Sequence, residues 1–199
     1  MIRVIDCTFR DGGYYNNWKF NYSLVEQYIE AIIESKVDIV EIGFRFLPTN
    51  RDLGDLAFST DKYLNQLTLL GDIDVAVMIN AKEFIESNLG IDIALNSVFG
   101  NKSDSMVDIV RIATHFNDIN ECQLIANILS KLGYRVFLNL MQIDSLKSSI
   151  LSDAVNQINK WNCIEVFYFA DSFGNLNTHS IDNIIETIKP VWDGEIGIH

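Results

Sequence analysis

The sequence predicts an α/β protein of the (β/α)8 barrel type, and three observations predict it. Apolar, β-branched runs recur along the chain, helix-period segments lie between them, and polar residues collect where the runs end. The strand-like runs fall at 2–7, 38–44, 74–79, 106–113, 135–140, 164–170 and 195–199. Strand and helix alternating this often imply parallel strands joined by right-handed crossovers. A doubly wound open sheet would carry a glycine-rich phosphate loop after its first strand. Neither GxGxxG nor GxxxxGK[ST] stands there; Arg10-Asp11-Gly12-Gly13 does. A barrel places functional residues at the C-terminal ends of many strands, as here with Arg10 and Asp11, Arg45, Asn80, His115, Asn139 and Gln142, Asp171 and Ser172, and His199.

The elements follow in order. The first strand runs into Arg-Asp-Gly-Gly, read as a turn because glycine tolerates a sharp exit. Leu24, Tyr28, Ala31 and Ile32 share one face of a helix that Ser23 opens, with Glu26 completing a capping box. Asn120 opens a later helix carrying Leu124, Ile128 and Leu129, and Gly133 closes it. Ile181, Ile184, Ile185 and Ile188 mark the last helix, which Pro190 stops. That makes seven strands and six helices in 199 residues, whereas a complete barrel takes about 250. The expectation is one barrel domain, 1–199, truncated after the seventh strand and incomplete at its C-terminus. Its two open edges would otherwise stay unpaired.

With 48% hydrophobic and 21% charged residues, the composition is that of an ordinary globular protein. No apolar run approaches the roughly 20 residues of a membrane span, and the start does not resemble a signal peptide. Cys7, Cys122 and Cys163 form no metal-type spacing, and an odd count suits a reducing compartment, so a cytoplasmic location is expected. A net charge of −12 argues against nucleic acid as a partner. Anionic small substrates require local positive charge, for which Arg10, Arg45 and Arg111 stand at strand ends.

Asp11 before glycine commonly caps a turn, and its other use is as a hard oxygen ligand for a divalent cation, with Arg10 beside it to neutralise an oxyanion. His199 taken alone reads as a half-buried histidine. In a closed barrel, however, the first and seventh strands end at one mouth, which brings Asp11 and His199 within reach of one ion. His115 either faces the mouth or caps the next helix, and His179 lies near a helix start. Asp171 and Ser172 read as a turn or as a carboxylate and hydroxyl aimed at substrate; Ser172 lacks a nucleophile elbow. Tyr14, Tyr15 and Trp18 read as an aromatic cluster, a lid or a proton donor.

Five ordered motifs resemble the metal-dependent aldolase and lyase superfamily that includes 4-hydroxy-2-oxovalerate aldolase, HMG-CoA lyase and the isopropylmalate and homocitrate synthases. They are Asp6-Cys7-Thr8-Phe9-Arg10-Asp11-Gly12-Gly13, Glu41-Ile42-Gly43, Val110-Arg111-Ile112-Ala113-Thr114-His115, Ala170-Asp171-Ser172-Phe173-Gly174 and Gly197-Ile198-His199. The likeness runs closest to the 4-hydroxy-2-oxovalerate aldolase branch. It implies a TIM barrel that cleaves or forms a carbon–carbon bond of a 2-oxo acid through a pyruvate enolate held on Mn2+ or Mg2+. By position it implies Asp11 and His199 as metal ligands, with a second histidine two residues beyond. It also implies Arg10 against the enolate oxygen; Arg45, Arg111, His115, Asn139, Asp171 and Ser172 are expected as substrate contacts from their places at strand ends. Tyr14 stands where that branch keeps its histidine base, and the 138–142 segment lacks a histidine of that branch. Other uses of the fold are a binding or regulatory domain and a synthase joining an acyl-CoA to a 2-oxo acid. Family analogy adds an aldehyde dehydrogenase partner and a homo-oligomer.

Overall fold

The computed structural model describes residues 2–67, 73–143, 146–171 and 174–199. Ser172, one of the expected substrate contacts, and Phe173 lie outside the described residues. Seven strands form one parallel sheet in chain order. They are β1 (Ile5–Asp6), β2 (Ile39–Phe44), β3 (Asp74–Asn80), β4 (Ile109–Thr114), β5 (Arg135–Leu140), β6 (Val166–Phe169) and β7 (Glu195–Ile198). Side chains of the two outermost strands and their flanks meet. Arg3 reaches Glu195 at 2.6 Å and Arg10 reaches His199 at 2.9 Å, so the sheet curls into a barrel open on one side.

Each strand has an inner and an outer face. Outward-facing apolar residues join the helices in the main core, while Ile39, Ala76, Ile109, Phe137, Val166 and Tyr168 form a separate cluster with Ile5 packed against it. These are the inward side chains, contributed strand by strand. Covered on both faces, β2 and β4 are buried along their whole length, which is why they read as continuous apolar runs.

The helices are α1 (Thr8–Asn16), α2 (Tyr22–Ser35), α3 (Asp55–Phe58), α4 (Asp61–Leu64), α5 (Ala81–Ile85), α6 (Ile91–Asn96), α7 (Ile119–Lys131), α8 (Ser148–Asn159) and α9 (Thr178–Ile188). Where one helix per crossover was expected, the first crossover holds both α1 and α2, and among the described residues the second and third each hold two short helices. Ser59, left-handed at φ 37°, ends α3 and Thr60 caps α4 at once, so the pair cannot fuse.

The glycine stop at Gly133 holds. It sits at φ 95°, and the Gly133 and Tyr134 amides return to Ser130 and Leu129, the double bond of a Schellman ending. Pro190 likewise follows the end of α9. Three expectations need correction. Asn21 rather than Ser23 caps α2, its carboxamide accepting the Leu24 amide at 2.7 Å, so the helix starts two residues earlier, at Tyr22. Asn120 lies inside α7, which grows out of a 3-10 turn at Phe116–Asp118; its side chain instead accepts from Gln157 of α8. Arg10-Asp11-Gly12-Gly13 is helix rather than turn. The chain turns earlier, where Asp6 accepts the Thr8 amide at 2.9 Å, and Gly12 and Gly13 are absent from the positive-φ residues. Among the described residues no helix is long and apolar enough to cross a membrane.

Candidate active site at the C-terminal mouth

The site follows from the two-residue period of the strands. On β1, β2, β4, β5 and β6 the residue two beyond an inward apolar side chain is the next inward one and carries a polar group: Cys7 after Ile5, Glu41 after Ile39, Arg111 after Ile109, Asn139 after Phe137 and Tyr168 after Val166. His199 follows Gly197 in the same way. A polar layer therefore lies on the apolar one, nearer the C-terminal mouth. Arg10 and Asp11 reach it from α1.

Glu41 is at its centre and fully buried. Its Oε2 accepts from Arg10 Nε at 2.7 Å and from Arg111 Nη1 at 2.9 Å. Burial alone would raise the Glu41 carboxyl, but Arg111 and Arg10 prevail and hold it below the usual carboxylate range. The arginines answer in kind, because burial disfavours their charge and Glu41 more than restores it. Arg111 also donates to Cys7 Sγ at 3.4 Å and lies over the Tyr168 ring at 4.5 Å. Gly197 makes room for that ring, since a Cβ there would overlap it. Burial, then Glu41, pushes the Cys7 thiol up to about 12, so it stays protonated.

Beyond Glu41, the Arg10 guanidinium is the hinge of the mouth. Nη1 pairs with Asp11 Oδ1, and Nη2 lies 2.9 Å from His199 Nε2. A guanidinium only donates, so Nε2 accepts and the ring proton sits on Nδ1. Burial, Arg10 and Arg111 together lower the His199 pKa, which keeps the ring neutral. Asp11 Oδ2 lies 3.6 Å from the same Nε2. A hard oxygen and an imidazole nitrogen so placed fit two positions around a divalent cation. Among the described residues no group of three or more His, Cys, Asp or Glu side chains gathers to complete one.

Some hydrogen-bonding capacity in this layer is unspent. Glu41 Oε1, Arg111 Nε and Nη2, and Asn139 Oδ1 are buried without a partner among the described residues. Such atoms in a dry interior are costly unless something fills them. Tyr14 borders the mouth on α1, edge-on to Trp18 at 5.0 Å and Phe44 at 5.9 Å, with its phenol pKa raised by burial.

Arg10, Asp11, Tyr14, Arg111, Asn139 and His199 thus come together at one end of the barrel. Three other expected contacts have partners outside the Glu41 cluster, although Asp171 stands beside His199, whose carbonyl accepts its amide at 2.9 Å. Arg45 turns outward, donating to Ser59 O at 2.7 Å and to both Asp61 oxygens at 3.1 and 3.3 Å, over the Phe99 ring. The cause is the register shift between Glu41 and Gly43, which takes Arg45 off the inner face. Asp171 accepts the Asn175 and Leu176 amides and so shapes its own loop. His115 lines a separate cavity of about 350 Å3 with Lys82, Phe116, Asn117, Met141 and Gln142. Glu41, the centre of the cluster, was given no role in the sequence reading. The available signal was its place two residues past Ile39, matching Arg111 past Ile109.

No protein-family model matches the chain. A curated 4-hydroxy-2-oxovalerate aldolase from Geobacillus genomosp. 3 is 22% identical over 200 residues, covering all of this chain and 56% of the relative. The solved N-terminal domain of a "putative aldolase" from Bacteroides vulgatus superposes with a TM-score of 0.82 at 27% identity, over all of this chain and 64% of that one. HMG-CoA lyase from Bacillus subtilis shares the fold, with a TM-score of 0.67 at 10% identity over 100% and 67% of the two chains. The chain therefore spans a little over half the length of the curated relative it matches. Seven parallel strands curled in chain order, taken with these likenesses, give the chain the partial TIM-barrel fold of these proteins and a resemblance to the HMG-CoA-lyase-like aldolases.

Proposed function

We propose that the chain forms the catalytic barrel of a divalent-metal-dependent aldolase that cleaves a 4-hydroxy-2-oxo acid to pyruvate and an aldehyde, or joins them. One observation carries this reading: the Arg10 guanidinium is fixed from behind by buried Glu41 while its outer nitrogens face Asp11 and His199. Breaking the bond between C3 and C4 leaves negative charge on the oxygen at C2 of the pyruvate half. A cation already held in place stabilises that charge without reorganising. Arg10 is such a cation, and its bidentate fork suits an oxo acid.

Asp11 and His199 would hold Mn2+ or Mg2+, which when bound supplies Lewis acidity to the carbonyl and carboxylate oxygens. The neutral His199 ring suits a ligand role, since its lone pair is free of a proton. Arg111 and Asn139 are the proposed contacts for the acid's own oxygens, on the strength of their unspent polar atoms. Tyr14, a phenol with an ordinary pKa near 10 that burial moves further up here, keeps its proton at neutral pH. As the C3–C4 bond breaks the C4 hydroxyl proton passes to water, and Tyr14 donates to C3 of the enolate and recovers its proton from solvent.

Hydrogen–deuterium exchange at pyruvate C3 tests the proposal, with exchange expected when Mn2+ or Mg2+ is added. Asp11→Ala should abolish Mn2+ binding measured by calorimetry, and unchanged affinity would sink the metal assignment. The raised Tyr14 pKa and the two-donor metal set favour a second reading, a binding domain on the same fold. Full metal occupancy without C3 exchange would decide for it.

A further inference from the structure

Trp18 is outside the cluster that the proposed chemistry uses, yet it touches the backbone of that cluster. The chain leaves α1 through Asn17 and Trp18, both left-handed at φ 57° and 56°. Two consecutive non-glycine residues in that region are strained, and the surroundings must hold them there. Several contacts do so. The turn folds the indole back under the helix it has just left, where the residue is 3% exposed. Its Nε1–H donates to the Arg10 carbonyl at 3.0 Å. Its ring lies on Gly13, where a Cβ would overlap it, and meets Phe44 and Phe46 edge-on at 5.4 and 5.3 Å. From the other side, the Gly54 amide donates to the Asn17 carbonyl at 2.8 Å, and a side chain at Gly54 would strike the Trp18 carbonyl.

The loops leaving β1 and β2 are therefore clasped around one indole. We propose that Trp18 is a positioning residue for Arg10, fixing the rotation of α1 so that one guanidinium meets Glu41 and His199 together. This rests on the reading of Arg10 as the group that faces substrate. Glu41 holds Arg10 by its Nε alone, and the helix could still roll about that bond. A hydrogen bond to the Arg10 carbonyl and a ring pressed on Gly13, one helical turn on, remove that freedom. Gly13 is needed for the space it leaves and not for its dihedral angles.

Side-chain hydrogen exchange measured by NMR on the full chain tests the proposal. The Arg10 Nε–H is bonded to Glu41, and the Arg135 Nε–H is bonded to Glu165 at 2.7 Å at the far end of the barrel, where it serves as the internal reference. In Trp18→Phe, which keeps a ring and loses the donor, Arg10 exchange should accelerate by about tenfold or more while Arg135 keeps its rate. Gly13→Ala should do the same by displacing the ring. Unchanged Arg10 exchange, or equal acceleration at Arg10 and Arg135, would overturn the proposal. The unmutated chain gives a reading that needs no variant to fold: the Trp18 indole N–H and the Arg10 Nε–H, each divided into its own free-side-chain exchange rate, should have protection factors within about threefold of each other, as parts of one opening unit. An indole protected about tenfold less would overturn it too. In pyruvate C3 exchange, Trp18→Phe should lower kcat about tenfold and leave KM unchanged. If Arg10→Lys leaves C3 exchange intact, the reading of Arg10 fails, and the N–H exchange result stands or falls by itself.

Discussion

The barrel carries an arginine–carboxylate cluster at each end, and the two use the same residue types to opposite effect. At the N-terminal end, Arg3 bonds Glu165 and Glu195 at 3.2 and 2.6 Å, and Arg135 grips Glu165 through two nitrogens at 2.7 Å each while also pairing with Asp74. Those side chains are 28–39% exposed, except Glu195 at 64%. At the C-terminal end, Glu41 and Arg111 are fully buried, and several of their polar atoms have no partner among the described residues. The floor is saturated and wet; the Glu41–Arg111 centre beneath the mouth is dry and unsaturated. Water screens the first, so its ion pairs add modestly to stability. The second sits where charge is expensive to strand, and its spare donors and acceptors suit a ligand.

Removing the central carboxylate should break the contrast most. Glu41→Ala leaves the buried Arg111 guanidinium without a carboxylate and Arg10 with only half-exposed Asp11, and urea unfolding should report a loss of about 3–5 kcal/mol. The same carboxylate governs the acid side of the stability curve. Its folded pKa is depressed, so the stability it lends is complete above the ordinary value near 4.5 and fades as pH falls through the lower folded value. Glu41→Gln should flatten that part of the curve, as followed by circular dichroism between neutral and acid pH.

Gly197→Ala presses a methyl group into the Tyr168 ring, which in turn covers Arg111. Overpacking of that kind costs about 1–3 kcal/mol, to be read from the shift in denaturation midpoint. The smallest effect belongs to the floor. Arg135→Ala should cost about 1 kcal/mol or less, and the difference should shrink further in high salt. A loss at Arg135 equal to that at Glu41 would erase the distinction between the two ends.

Much of the fold was legible because parallel strands buried on both faces announce themselves as β-branched runs, and all seven were found in order. Helix starts were less so, since Asn21 and Ser23 are both acceptable caps and only the chain's path chooses between them. At the mouth, Arg10, Asp11, Arg111 and His199 could be read from their positions at strand ends. Glu41 was harder to read, because its place two residues past Ile39 puts a carboxylate on the inner face and gains meaning only once its two guanidinium partners are known. Arg45 misled for a geometric reason: counting by twos from Glu41 puts it inside, and one irregularity in the β2–β3 pairing puts it outside.

The bond from Arg10 to His199 joins residues 189 apart in the chain, and that from Arg3 to Glu195 spans 192. Every neighbouring pair of strands, by contrast, is consecutive in sequence. Local pairings can therefore accumulate one crossover at a time, while ring closure bears the largest loop entropy of any contact in the cluster. The contact between Arg10 and His199 is thus expected to form late in folding, after the shorter-range pairing of Arg10 with Glu41. A refolding experiment should recover secondary structure well before Arg10 meets His199.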